Sequence, residues 1–295
     1  MDTVNITEIN YKDYGKCLKV TNDIVEVIIS IQYGPRIVKY GYVNDINHFA
    51  EGIEDKISTE NGDYYIIGGH KFLYLTDNEK NIYIPDNKKV EYESIDGGIK
   101  LIQEIEEHTY FQKNIEITFE GDSKLKILHK IVSFNPFDIN ISIASITTMN
   151  SNGIELIPLE MKMQGMFPNK SLVFWPYSNL KDQRVYFGDK YIAMKVNENI
   201  YDNFRIGFNM NFTRALYYSQ NQLFIKEVKE NESLKENKEY PNMGSRYESF
   251  ISKNYIEMQT NSPKQVLKAN EYIEHVEIWN LYKEVSLDFI DEFMG

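Results

Sequence analysis

Five histidines, a single cysteine and 44 carboxylates against 32 lysines and arginines make up the reactive inventory of this chain. Isolated imidazoles among many acids suit proton transfer or hydroxyl recognition, because an imidazole titrates near neutral pH and a carboxylate can hold or take a proton beside it. The densest stretch is Gly68-Gly69-His70-Lys71-Phe72-Leu73-Tyr74, followed by Ile84-Pro85-Asp86-Asn87 and Val90-Glu91-Tyr92-Glu93. Two adjacent glycines let the backbone take positive φ and approach another chain or a ligand closely. Pro-Asp-Asn marks a tight turn. The stretch sets His70, Lys71, Asp86 and Asn87 near strand ends, where polar sites are commonly built; the alternative is a structural hairpin whose histidine is simply hydrogen-bonded. Arg36, directly after Gly34-Pro35, is a candidate for an anion or hydroxyl contact, with a surface arginine as the alternative.

Other chemistries are excluded by what the sequence lacks. Cys17 alone cannot form an intrachain disulfide or a cysteine zinc site. There is no His-x-His or HExxH arrangement, phosphate loop, GxGxxG fingerprint or serine nucleophile elbow. No metal and no cofactor are therefore expected. A formal net charge of -12 argues against nucleic acid as a partner, since phosphate binding needs a basic surface. No apolar run reaches membrane-spanning length, and the first residues lack the basic and apolar regions of a signal peptide. A cytoplasmic location and no membrane partner are the expectation. The 22 tyrosines and 16 phenylalanines favour strands and could stack on sugar rings. Richness in Ile, Asn, Lys and Tyr together also follows from AT-biased coding.

The elements that must position these groups are mostly strands. In residues 24–31, Val25, Val27, Ile29 and Ile31 share one face. Gly34-Pro35 breaks the run, and residues 36–43 form a second strand. Residues 44–63 read as a polar, acidic loop. Alternation is clear in residues 114–119 and 125–134, where His129 shares a face with Leu125, Ile127 and Ile131. That histidine either points into a cleft or is buried and hydrogen-bonded. Residues 139–148 are another strand. The segment 154–185 is irregular and carries Phe174-Trp175-Pro176-Tyr177. Strands follow at 191–196, 204–208, 215–219, 223–228, 245–251, 255–260 and 272–282, a charged loop at 229–240, and a helix at 286–293. Short strands at regular spacing predict an all-β sandwich or barrel, one domain over residues 1–295.

Several words go further. Tyr33-Gly34-Pro35-Arg36-Ile37, Gly68-Gly69-His70-Lys71-Phe72, and Tyr83-Ile84-Pro85-Asp86-Asn87 with Val90-Glu91 occur in order. His129 ahead of Ser133-Phe134-Asn135, Glu248 before Tyr255-Ile256-Glu257-Met258, and the run Val276-Glu277-Ile278-Trp279-Asn280-Leu281 complete the set. On these residues, across about positions 20–285, the chain resembles the galactose mutarotase-like superfamily, in an aldose-1-epimerase-like branch. The resemblance implies a large two-layer antiparallel β-sandwich with a sugar cleft on a concave sheet face. It implies a histidine that protonates the ring oxygen, a late-strand glutamate that takes the anomeric hydroxyl proton, and a second histidine and an arginine that hold the sugar. By position these are His70 and His129 as imidazoles and Glu248 as base, with Glu227 second. Arg36, Lys71, Asp86 and Lys226 would bind hydroxyls, and Trp175 would be a stacking platform. One word departs from the pattern. His108-Thr109-Tyr110-Phe111-Gln112 lies too early, and Thr147-Thr148-Met149-Asn150 stands where the second histidine word belongs. The implied function is a carbohydrate-active protein, an aldose 1-epimerase-like isomerase. The alternatives are a non-catalytic sugar-binding or sensing protein and a glycoside hydrolase-associated protein.

Overall fold

Burial alternates residue by residue along Lys124–Ser133, because successive side chains of a strand point to opposite faces. Leu125, Ile127, His129 and Ile131 share one face, as the sequence pattern predicts, and that face goes inward, so His129 is buried rather than lining a cleft. The same rule operates along most of the chain. The computed structural model describes residues 4–76, 83–161, 165–210, 214–229 and 238–293.

The strands form two large antiparallel sheets. The first runs Asn5–Asn10, Lys16–Thr21, Val25–Ser30, Arg36–Tyr42, Gly69–Thr76, Ile139–Met149, Ile256–Asn261, Tyr247–Ile251, Phe204–Met210 and Lys170–Phe174, with Gln265–Leu267 paired to Ile139–Met149. The second runs Val185–Phe187, Tyr191–Lys195, Ile154–Pro158, Arg214–Ser219, Gln222–Lys229, Tyr272–Tyr282, Lys124–Ser133, Phe111–Gly121, Gly98–Ile102 and Glu91–Ile95. The inner faces interlock as in other sandwiches. Phe72, Ile143, Phe208 and Met258 from the first sheet share one core with Ile115, Ile127, Phe224 and Trp279 from the second. Each fully buried side chain of this kind contributes about 1.5–3 kcal/mol, so packing rather than polar contacts drives the two layers together.

The diglycine is a demand of that packing. Gly68 and Gly69 have φ of 80° and 70°. A Cβ on Gly68 would lie 2.1 Å from the Ala50 carbonyl oxygen, and one on Gly69 would lie 2.4 Å from that of Ile37. Only glycine lets the strand Gly69–Thr76 enter the sheet this closely. That entry sets the register in which His70 pairs with both Ile37 and Thr147.

One expectation changes. Within the supposed acidic loop, Asp55–Thr59 and Gly62–Ile66 form a hairpin around the turn at Glu60-Asn61. The tail Leu287–Phe293 is helical as expected, wound as a 3-10 helix. A short helix at Pro241–Gly244, unforeseen from sequence, precedes the strand of Glu248. Most of the 229–240 charge run lies outside the described residues. Among the described residues, no helix is long and apolar enough to cross a membrane.

Candidate functional site

The outward face of the first sheet carries a cleft of about 790 Å³, walled on one side by the Asp55–Ile66 hairpin through Ile57 and Ile66. That volume suits a small molecule. Strand parity decides what it contains. Along Gly69–Thr76, His70, Phe72 and Tyr74 turn into the core, and Lys71, Leu73 and Leu75 turn into the cleft. Phe204, Ile206 and Phe208 are interior, so Arg205 is exterior. Ile256 and Met258 are interior, so Glu257 and Gln259 are exterior. Trp175, Tyr83, Tyr177, Phe250 and Tyr255 supply aromatic walls.

Arg205 organises the charges. Its Nη1 donates to Glu248 Oε2 at 3.3 Å, and its Nη2 lies 3.6 Å from Glu257 Oε2. The guanidinium sits over the rings of Trp175 and Phe250 at 5.5 and 5.1 Å. Glu248 is buried behind these groups. Its Oε1 accepts from Asn242 Nδ2 at 2.6 Å and Asn261 Nδ2 at 2.9 Å. Burial raises its carboxyl above the ordinary value, against the opposing pull of Arg205 and the two amides. Asn242 reaches it because the short helix is bent through positive φ at Asn242 and Met243. Lys71 lies at the cleft floor over the Tyr64 ring, 4.9 Å from its centroid. Burial pulls its ammonium down to about 8.

A second polar cluster lies between the sheets. His129 Nδ1 is 3.0 Å from the His275 carbonyl, which can only accept, so Nδ1 carries the proton and Nε2 is free to accept. His70 Nε2–H donates to it at 2.8 Å, and His70 Nδ1 accepts from the Thr147 hydroxyl at 2.9 Å. Lys226 Nζ donates among Thr147 Oγ1 at 3.0 Å, the carbonyls of Met258 and Ser145 at 3.0 and 3.1 Å, and Glu277 Oε1 at 3.1 Å. Glu277 also accepts from the Thr260 hydroxyl and from Trp279 Nε1 at 2.8 Å. Burial holds all three histidines neutral, His129 at about 4 and His275 at about 3, with His70 well below its ordinary value. Burial alone would raise Glu277, but Lys226 and the imidazoles hold it well below the carboxylate range. His70, His129 and Glu277 bring ligand atoms within 4.8 Å of one another, donor types that suit a divalent cation. Lys226 already supplies the positive charge there, and the histidine tautomers are fixed by their partners. The cluster is thus a closed hydrogen-bonded network.

The sequence-derived set is thus divided. His70 and His129 do meet, but on the inner face, fully buried and away from Glu248. The expected convergence of two imidazoles with Glu248 across an open groove is not what the strands produce. Lys226 belongs to the inner network. Glu227 pairs with Arg214 at 3.3 Å on the second sheet, far from the groove. Arg36 and Asp86 form a buried ion pair at 2.9 Å, with Arg36 behind the Tyr64 ring, and neither lines the cleft. Lys71 and Trp175 do line it. Sequence reasoning missed Arg205, Glu257 and Asn242 as site residues. For the first two the signal was present: each is a lone charge in an alternating apolar strand.

No protein-family model matches the chain, and no curated protein matches its sequence. Solved structures do match its shape. A TPR-domain containing protein from Parabacteroides distasonis superposes with a TM-score of 0.63 at 13% identity, over 92% of this chain and 48% of that one. The chain thus spans about half of that protein's length. A galactose mutarotase-like protein from Lactobacillus casei gives a TM-score of 0.55 at 6% identity, over 94% of this chain and 100% of its own. One from Clostridium acetobutylicum gives 0.54 at 13% identity, over 95% and 99%. The chain has the galactose mutarotase-like fold, a large two-layer antiparallel β-sandwich. At these identities the likeness is one of fold, and chemistry must be argued from the cleft.

Proposed function

We propose that the cleft binds a monosaccharide and interconverts its anomers, as an aldose 1-epimerase-like isomerase. The observation that carries this reading is that Lys71 and Glu257 line one aromatic-walled cleft of sugar size. Anomer exchange needs an acid for the ring oxygen and a base for the anomeric hydroxyl. Lys71, held near neutral pH, serves as the acid. Glu257 is the carboxylate that lines the cleft and serves as the base, and Arg205 positions it. Trp175 and Tyr177 stack against the ring. The imidazoles take no part, because they lie inside the sandwich.

The test is anomer exchange of free glucose, galactose and mannose followed by NMR, with binding measured by calorimetry. Acceleration that Glu257→Gln abolishes supports the reading. No binding and no acceleration with any of the three sinks it for these hexoses. One observation favours a second reading, a non-catalytic sugar-binding protein. Arg205 and Asn242, which line the cleft, are held in place by the buried Glu248, which suits holding a ligand better than moving a proton. Binding without exchange in the parent protein selects it.

A further inference from the structure

Four lysines are buried among the described residues: Lys39, Lys71, Lys113 and Lys226. Three have carboxylate partners, with Lys39 at 2.6 Å from Glu26, Lys113 at 3.2 Å from Glu106 and Lys226 at 3.1 Å from Glu277. Lys71 is 3% exposed and has no hydrogen-bond or ion-pair partner among the described residues. A buried ammonium without a contacting counter-ion is costly, so such a lysine is shifted toward the neutral amine. An amine desolvated beside another cation is an activated nucleophile. Lys71 has that setting. Tyr64 lies beneath it and Leu73 flanks it, while Arg36, Asp86, Lys113 and Glu257 act on it electrostatically.

We propose that Lys71 is a nucleophilic amine that captures the open-chain aldehyde of a reducing sugar as an imine in the cleft. The inference rests on the sugar-binding reading and deepens it, since ring opening during anomer exchange produces that aldehyde in place. The neutral Nζ attacks the carbonyl carbon, and the nitrogen loses a proton as the oxygen gains one, giving a carbinolamine. Glu257, protonated by the anomeric hydroxyl as the ring opens, delivers that proton to the departing hydroxyl, which leaves as water, and the nitrogen lone pair closes the C=N bond as a protonated imine. Addition of water reverses each step and releases aldehyde and amine, and the freed sugar recloses to either anomer. No oxidant or reductant is consumed. The covalent route makes Lys71 a catalytic residue, where the proposed acid role requires only proton transfer.

The experiment uses glycolaldehyde, a two-carbon hydroxyaldehyde small enough to enter whatever the sugar preference, with cyanoborohydride to reduce and trap any imine at pH 8. Peptide mapping then compares Lys71 with the exposed Lys12 and Lys88. An amine titrating near 8 has about a hundredfold more free base at that pH than an ordinary lysine. The expected result is labelling of Lys71 at least about tenfold faster than of either surface lysine, lost in Lys71→Arg. Labelling no faster than theirs in the folded parent overturns the proposal, and this comparison stands even if the variant misfolds. The same trapping with glucose, galactose and mannose separates the two claims. Anomer exchange without a Lys71 adduct removes the imine and leaves the cleft reading. A glycolaldehyde adduct without sugar binding or exchange removes the cleft reading and leaves the reactive amine.

Discussion

The two polar regions of this sandwich use nearly the same residues to opposite ends. Between the sheets, Lys226, Glu277 and three histidines satisfy one another, and Trp279, Thr147 and Thr260 complete the network. On the outer face, Lys71 has no hydrogen-bond or ion-pair partner among the described residues, and Arg205 divides itself between two carboxylates at 3.3 and 3.6 Å. A closed network fixes structure; an incomplete one facing a cavity is open to a ligand. Residue type does not distinguish the regions. Completeness of pairing does.

The sharpest way to break this contrast is to unpair the closed network. Lys226→Met leaves Glu277 charged and buried without its cation, a change that typically costs about 3–5 kcal/mol. Urea denaturation should show a loss of that size, and Lys226→Met combined with Glu277→Leu should recover most of it. A single-variant loss under about 1 kcal/mol means that the pair is not ionised. In the cleft the same class of change should touch function alone. Glu257→Gln should slow anomer exchange about a hundredfold or more, the range for losing a positioned base, with the melting temperature nearly unchanged. Loss of folding instead would place Glu257 with the structural residues.

Acid sharpens the comparison without a mutation. The inner histidines are depressed by burial, His129 from 6.5 to about 4. Above pH 6.5 both folded and unfolded chains carry them neutral, and their contribution is full. As pH falls below 6.5 the unfolded chain takes up protons that the folded chain refuses, so stability drops until the folded value is reached. At about pH 5 His129 alone accounts for about 2 kcal/mol of lost stability. Denaturant midpoints at about pH 7.5 and about pH 5 test this, and His129→Gln, if it folds, should flatten the difference. Glu155, raised by burial to about 7, gains stability over the same fall in pH, so a difference that His129→Gln leaves unaltered, rather than an unchanged parent midpoint, means that the imidazoles are reached by solvent.

The period-two pattern made the sheets legible, down to the face that His129 shares with Ile127 and Ile131, though not whether that face met a cleft or the core. It could not place His70. Along Gly69–Thr76 both faces are apolar, His70 with Phe72 and Tyr74, Lys71 with Leu73 and Leu75, so parity alone names no inside. The deciding facts were long-range: the close approach to Ile37 and Ala50, and the hairpin that roofs the other face. Where one face only is apolar, as around Arg205 between Phe204 and Ile206, the cleft side was readable. The hairpin at Asp55–Ile66 was masked because its residues are mostly polar and it pairs only with itself. Asn242 reaches Glu248 through positive φ at a non-glycine residue, which residue type does not announce.

The smallest expected effect belongs to the cleft wall. Trp175 is half-buried, lines the cavity and lies under the Arg205 guanidinium. Trp175→Ala removes both a face for the sugar ring and a support for the group that positions Glu257. The first loss weakens binding and the second slows exchange, so the two are separable. Trp175→Phe keeps a ring under Arg205 while shrinking the surface offered to the ligand. If stacking dominates, sugar affinity falls about tenfold in the alanine variant, or ~1.4 kcal/mol, and less in the phenylalanine variant, with turnover of bound sugar similar in both. If support of Arg205 dominates, affinity changes little, and only the alanine variant loses turnover. Either result keeps Trp175 in the open region. A fall in melting temperature as large as that of Lys226→Met, with no change in sugar binding, would move it to the closed one.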